Sequence, residues 1–207
     1  KDVKPVITLQ GKVRSLLGSS PAADNTLQGA LQLIEIAPKT ALFHTWIGAA
    51  YDARQDPTNA LAHFTTALNL APDSIPAHNA IAIFHAKRGQ IGPAILHFEK
   101  AHLANPEDPS LRTNLAKALE TLGIHLAKTG DNENAYECFI RIAYLLPDQP
   151  SSHLHLGHTL AGLHKTAEAS AAYRKALTID PAYTPALQAL HSLTGNTNAV
   201  RHAAPHP

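Results

Sequence analysis

His155 and His158 stand three residues apart in the run SSHLHLGH. On a helix that spacing puts both imidazoles on one face. Two imidazoles supply only half of a structural zinc site, and a catalytic site needs three protein ligands. Glu120, on the long helix expected beside the pair, is the one third donor that can be named, with His125 further off. That set is too small to assign a metal, and no other cofactor is implied. A pH-sensitive ligand contact suits the pair better, because imidazole titrates near neutrality. Cys138 is the only cysteine, so no internal disulfide can form. It has no basic neighbour before Arg141, which leaves its thiol without the positive environment a nucleophile needs. The sequence contains no GxxxxGK[ST], HExxH, GxSxG or CxxC, and paired carboxylates occur only in surface-like phrases such as Asp131–Glu133. No catalytic constellation is present, and the chain is expected not to be an enzyme.

The bulk chemistry narrows the partners. Of 207 residues, 17 are Lys or Arg and 16 are Asp or Glu, a net charge of +1. No basic run breaks this balance, so nucleic acid and anionic membrane surfaces are not expected partners. Charged residues make up only 16% of the chain, against roughly 25% in ordinary soluble domains. No apolar run approaches the roughly 20 residues of a membrane span. The chain opens on Lys1 rather than Met. A removed secretory leader is compatible with that, so both a cytoplasmic and a periplasmic address stay open.

The elements that carry these residues are marked by prolines. Pro38, Pro72, Pro106, Pro147 and Pro181 follow one another at intervals of 34, 34, 41 and 34. A fixed period of this length signals stacked copies of one supersecondary unit. Proline lacks the N–H and restricts the residue before it, so each one closes a helix. Aligned on the prolines, a small residue recurs at Gly48, Ala82, Gly123 and Gly157. An alanine recurs at Ala60, Ala94, Ala135 and Ala169, and an aromatic four residues later at Phe64, Phe98, Phe139 and Tyr173. Ala67, Ala101, Ile142 and Ala176 complete the ladder. Spacings of three and four put these residues on one helical face. The small residue lets the helices of a pair approach closely, and the aromatic fills the gap toward the next pair.

This ladder resembles the tetratricopeptide repeat (TPR) family. The resemblance implies an all-α fold, a right-handed α-solenoid of about five helix pairs plus a C-terminal capping helix. The units fall at about 5–38, 39–72, 73–106, 107–147 and 148–181, with the cap at 184–193. Together they form a single array over 5–193, followed by a flexible tail at 195–207. The first unit is degenerate: it keeps Pro38 and apolar stretches around Val13–Leu17 and Leu27–Ile36, but Thr26 and Ala30 replace the alanine and the aromatic. The 41-residue unit holds two overlapping first-helix patterns, one on Leu115, Ala116 and Leu119, the other on Leu122, Gly123 and Leu126. Seven residues are close to two α-turns, so the insertion keeps its apolar face in phase and predicts one continuous helix over about Pro109–Lys128.

Placed on the repeat, most of the 14 histidines lose their appearance of a site. His44, His78 and His153 share one slot, and His63 and His97 share another. Trp46, the only tryptophan, is expected in the core. By resemblance, the first helices line a concave groove. Its inward positions are Leu42, Thr45, Ala49 and Asp52, then Asn79, Ile83, Ala86 and Lys87. Thr113, Lys117, Glu120, Ile124 and Lys128 follow from the long helix, and Leu154, His158, Ala161 and Gly162 from the fifth unit, with His155 at the edge. Some TPR domains grip a peptide's terminal carboxylate with Lys, Asn and Arg. Asn79 and Lys117 are present here, but Thr45, Ala49 and Ile83 stand where other polar or basic positions would be, so the sequence departs from that clamp.

The expected function is therefore a non-catalytic module holding a protein or peptide segment in the groove. An alternative from a different class is a carrier for an apolar small molecule or lipid-like ligand. A weaker alternative is the repeat region of a larger enzyme, since 150–181 resembles repeats that precede catalytic domains in some bacterial transferases. An enclosed apolar cavity would favour the carrier, and an open trough with polar rims the peptide.

Overall fold

The computed structural model describes residues 23–202. The stretch around Val13–Leu17, most of the degenerate first unit, and residues 203–207 lie outside the described residues. Among the described residues, ten helices follow one another: α1 (Ala23–Ile36), α2 (Ala41–Ala53), α3 (Pro57–Leu70), α4 (Ile75–Lys87), α5 (Ile91–Ala104), α6 (Pro109–Lys128), α7 (Asn132–Leu145), α8 (Pro150–Gly162), α9 (Thr166–Ile179) and α10 (Thr184–His202). They fall into two compact units, one ending at Leu111 and one beginning at Arg112. In the first, α2 pairs with α3 and α4 with α5; in the second, α8 pairs with α9.

Local chemistry sets the helix ends. Asp56 and Asp131 cap α3 and α7, accepting from the backbone N–H of Asn59 and Asn134 at 3.1 and 3.2 Å. Pro57 and Pro150 open α3 and α8, where a missing N–H costs nothing. Each turn between the helices of a pair has one residue at positive φ in the same slot: Gln55 (61°), Gly89 (71°), Gly130 (86°) and His164 (60°). The ladder prolines also accept hydrogen bonds. His44, His78 and His153 donate through Nε2 to the carbonyls of Pro38, Pro72 and Pro147 at 3.2, 2.9 and 2.9 Å. That shared bond ties each first helix to the loop before it and accounts for the recurring histidine.

The ladder is the core. Ala60, Ala94, Ala135 and Ala169 are completely buried, and Phe64, Phe98, Phe139 and Tyr173 nearly so. In three of the four units the aromatic lies against the glycine of its own pair: Phe64 on Gly48, Phe139 on Gly123, Tyr173 on Gly157. Phe64 also meets Phe84 of the following pair edge-on, centroids 5.7 Å apart. The ring thus fills both the gap within a pair and the gap to the next.

The long helix α6 is continuous over Pro109–Lys128, against 13 or 14 residues in α2 to α5. The last helix also exceeds its expectation. Rather than ending near 193 and giving way to a tail, α10 runs to His202, because no proline interrupts the chain between Pro185 and Pro205. Trp46 is half-buried against the cluster of Leu27, Ala30, Ile47 and Ala50.

Candidate ligand-binding groove

In the second unit, the C-terminal half of α6 faces α8 across α7. Ile124, Ala127 and Lys128 come from α6, Asn132 and Phe139 from α7, and His155, His158 and Thr159 from α8; together they line a cleft of about 420 Å3 that is open to solvent. Their placement follows from the repeat. Phe139 is held by Gly123 on one side and tilts against the His155 ring on the other, centroids 5.1 Å apart. The Asn132 side chain lies so close beneath Gly162 that an added Cβ would come within 2.9 Å of it.

The polar groups of the cleft are ordered by their neighbours. His155 Nδ1 lies 3.4 Å from Glu120 Oε1. Burial pushes the His155 pKa down, Glu120 pulls it back up, and burial prevails. His158 is also held below its ordinary value, first by burial and then by His155. Its ring meets Tyr173 edge-on at 5.5 Å. The Thr159 hydroxyl donates to the His155 carbonyl at 2.8 Å and is thereby satisfied within its own helix. A second cleft of about 370 Å3 opens beyond His158, lined also by Ala161, Tyr173, Ala189, Ser192 and Leu193. No group of three His, Cys, Asp or Glu side chains is placed to hold a metal among the described residues, and the buried Cys138 thiol is pushed up by burial.

Residues 150–183 match the family model for the tetratricopeptide repeat. The backbone superposes on solved TPR structures. MamA AMB-1 matches with a TM-score of 0.59 and 17% identity, covering 88% of this chain and 94% of that one. YrrB, described as a TPR protein with an unusual peptide-binding site, matches at 0.55 and 20%, covering 81% and 82%. The chain has the TPR helical-repeat fold, and residues 150–183 match the repeat itself. MamA from Desulfovibrio magneticus RS-1 matches at 0.52 and 17%, covering 76% and 85%. At these identities the likeness is one of fold. No curated protein matches the chain.

Of the groove positions read from the sequence, the structure brings Glu120, Ile124, His155 and His158 together in one unit, with Lys128 beside them. Lys117 is exposed and Thr113 half-buried on α6. Leu154 belongs elsewhere: it is buried in the cluster with Leu160, Ala169 and Tyr173, since its face of α8 packs inward. Thr45 is likewise buried, and its hydroxyl donates to the Ala41 carbonyl at 3.0 Å. Neither can touch a ligand. In the first unit Ala49 is exposed and Asn79 and Ile83 are half-buried.

Asp52 and Lys87 are occupied by each other. Lys87 Nζ lies 3.0 Å and Arg88 Nη1 2.7 Å from the Asp52 carboxylate, whose side chain is only 7% exposed. Burial raises the Asp52 pKa, but hydrogen bonds from Lys87 and Arg88 outweigh it and hold the carboxyl below its usual range. Arg88 also covers the Phe84 ring at 3.7 Å. The first unit has its own open depression of about 760 Å3, where Leu61, Ala62 and Thr65 of α3 face Phe84, His85 and Arg88. Sequence reading missed it. The available signal was Leu61, a large apolar residue off the ladder that is 45% exposed.

Proposed function

We propose that this TPR protein is a non-catalytic binding module that holds a protein or peptide segment in the groove of its second unit. The shape of the cleft carries this reading. It is an open trough with an apolar floor of Ile124, Ala127 and Phe139 and a polar rim of Lys128, Asn132 and His158. Extended peptides suit such a trough, where apolar side chains enter the floor and the rim meets backbone polar groups. An apolar carrier needs an enclosed cavity that buries most of its ligand, and neither cleft in this unit is closed. The unusual peptide-binding site of YrrB supports the same class of ligand. No described helix is long and apolar enough to cross a membrane.

Native mass spectrometry of the protein purified from the cells that make it tests the proposal. A co-purifying polypeptide that is absent from the Ile124→Glu variant is the expected result. A co-purifying lipid-like mass would overturn it.

A further inference from the structure

We infer that the groove of the second unit selects an extended segment bearing two apolar side chains with an acidic side chain between them, the acidic group lying beside His158 on the rim that carries Lys128. This rests on the peptide-binding reading above.

The inference starts from the repetition of the cleft. The first cleft lies between α6 and α8 over Phe139; the second lies between α8 and α10 over Tyr173. Each floor is the ring that packs on the glycine of its own pair, Gly123 or Gly157. The ladder therefore makes the same notch twice. At about 420 and 370 Å3, each notch has room for a large apolar side chain. Neighbouring helices pack about 8–10 Å apart. In a polyproline-type strand, side chains three residues apart share a face and are separated by about 9 Å. One strand can thus fill both notches with residues i and i+3, and the side chains of i+1 and i+2 then point about 120° to either side, toward the rim.

His158 is the wall common to the two notches; its ring is crowded by His155 and Tyr173, yet the residue keeps an edge open to solvent. Whatever joins the two apolar side chains passes over it. Neither notch is lined by a carboxylate; the lining supplies the Lys128 ammonium, the Asn132 amide and two imidazoles. The Glu120 carboxylate is turned to His155, and the Asp131 carboxylate, next to Asn132, is taken by the backbone and side chain of Asn134. A central acidic side chain meets complementary charge, and a basic one meets Lys128 and a titrating imidazole. His155 and Tyr173 face His158, with Glu120 behind His155, and Lys128 lines the same cleft. A carboxylate placed among them favours the protonated imidazole, so binding takes up a proton.

The test is selection of a random-peptide phage library on the full chain, followed by fluorescence anisotropy with acetylated, C-terminally amidated peptides, which carry no terminal carboxylate. Enriched peptides are expected to share two apolar residues three apart with Asp or Glu between them. Replacing that acid by its amide should weaken binding about tenfold, the loss of roughly one charge-assisted hydrogen bond. Acidic peptides should bind more tightly at about pH 6 than at about pH 8, and His158→Gln should abolish that dependence while the neutral peptide still binds. Lys128→Ala should weaken the acidic peptides more than their amide counterparts and leave the melting temperature unchanged. Enrichment of neutral or basic centres would overturn the inference and leave peptide binding standing. No enrichment, or binding indifferent to both Ile124→Glu and His158→Gln, would overturn both.

Discussion

The Phe64 ring rests on Gly48, sixteen residues earlier, so closely that a Cβ at position 48 would come within 2.6 Å of two ring carbons. Phe139 on Gly123 and Tyr173 on Gly157 repeat the relationship. The repeat at 73–106 has Ala82 and Phe98 instead, both buried. In these repeats the glycine is a space requirement, met by a helix that would otherwise prefer alanine.

Gly48→Ala and Gly92→Ala should therefore move stability in opposite directions. Glycine inside a helix is about 1 kcal/mol worse than alanine. At Gly92, exposed and with nothing within 4 Å, that gain should be realised as a higher melting temperature. At Gly48 the new methyl collides with the Phe64 ring, and overpacking costs about 1–3 kcal/mol. Gly48→Ala should melt lower, and Gly48→Ala with Phe64→Leu should recover part of the loss. If Gly48→Ala melted at or above the parent, the close-packing account would fail.

The four pair turns share one strained slot, and only two of them fill it with glycine. Gln55 and His164 sit at φ 61° and 60°, where Gly89 and Gly130 stand in the sister turns. Left-handed backbone costs an L-residue about 1–2 kcal/mol, part of which glycine returns through its freer unfolded chain. Gln55→Gly and His164→Gly, both at exposed positions, should each stabilise by about 0.5–1 kcal/mol. Urea denaturation of each variant against the parent measures this.

The fold was legible because proline, glycine, alanine and aromatic residues each impose a local constraint that recurs with the period. The histidine slots were legible as positions but not as bonds: the partner carbonyls of Pro38, Pro72 and Pro147 become apparent only once the loops are in place. The groove was legible where it depends on one helix face, as at Ile124 and His158. It was misread at Thr45 and Leu154, because neighbouring helices decide whether that face is open. The pairing of Asp52 with Lys87 and Arg88 joins residues some 35 apart in sequence and follows from the stacking of α2 against α4.

That misreading separates two substitutions that looked equivalent in the sequence. Ile124→Glu alters a half-buried residue on the cleft floor. It should remove ligand binding and shift the melting temperature little. Leu154→Glu buries a carboxyl among Leu160, Ala169 and Tyr173. It should cost about 3–5 kcal/mol, from a lost core side chain and an unpaired charge. Circular dichroism melts paired with a binding assay distinguish them. A folded, binding-competent Leu154→Glu protein would contradict the burial of Leu154.

Acid should loosen the first unit before the Asp52 carboxylate loses its charge. His44 donates Nε2–H to Pro38, which leaves its Nδ1 to accept from His63 Nδ1–H at 3.1 Å. His78 and His97 repeat the arrangement at 2.9 Å, with Pro72 as the acceptor. A second proton on either pair would set two N–H groups head to head. Burial holds His63, His78 and His97 below their ordinary values; for His97, burial, His78, His85 and Lys100 together bring it down to about 4. Asp73 and the Pro72 carbonyl pull His78 the other way without prevailing. In the unfolded chain each of these histidines takes its proton at about 6.5. Between that value and the folded one, the unfolded state binds more protons, so stability falls as pH is lowered. Nothing further is gained above about pH 6.5. Asp52 acts in a separate window: its carboxyl is held below the usual range, so its contribution is lost only under stronger acid. Trp46, in the first unit and half-buried, reports the change without interference as the only tryptophan. Its fluorescence in urea melts should show a midpoint that is flat above about pH 6.5 and declines steadily toward about pH 4, and His97→Gln should make that decline shallower. A wild-type midpoint unchanged across that window would mean that the pairs do not bind as neutral imidazoles.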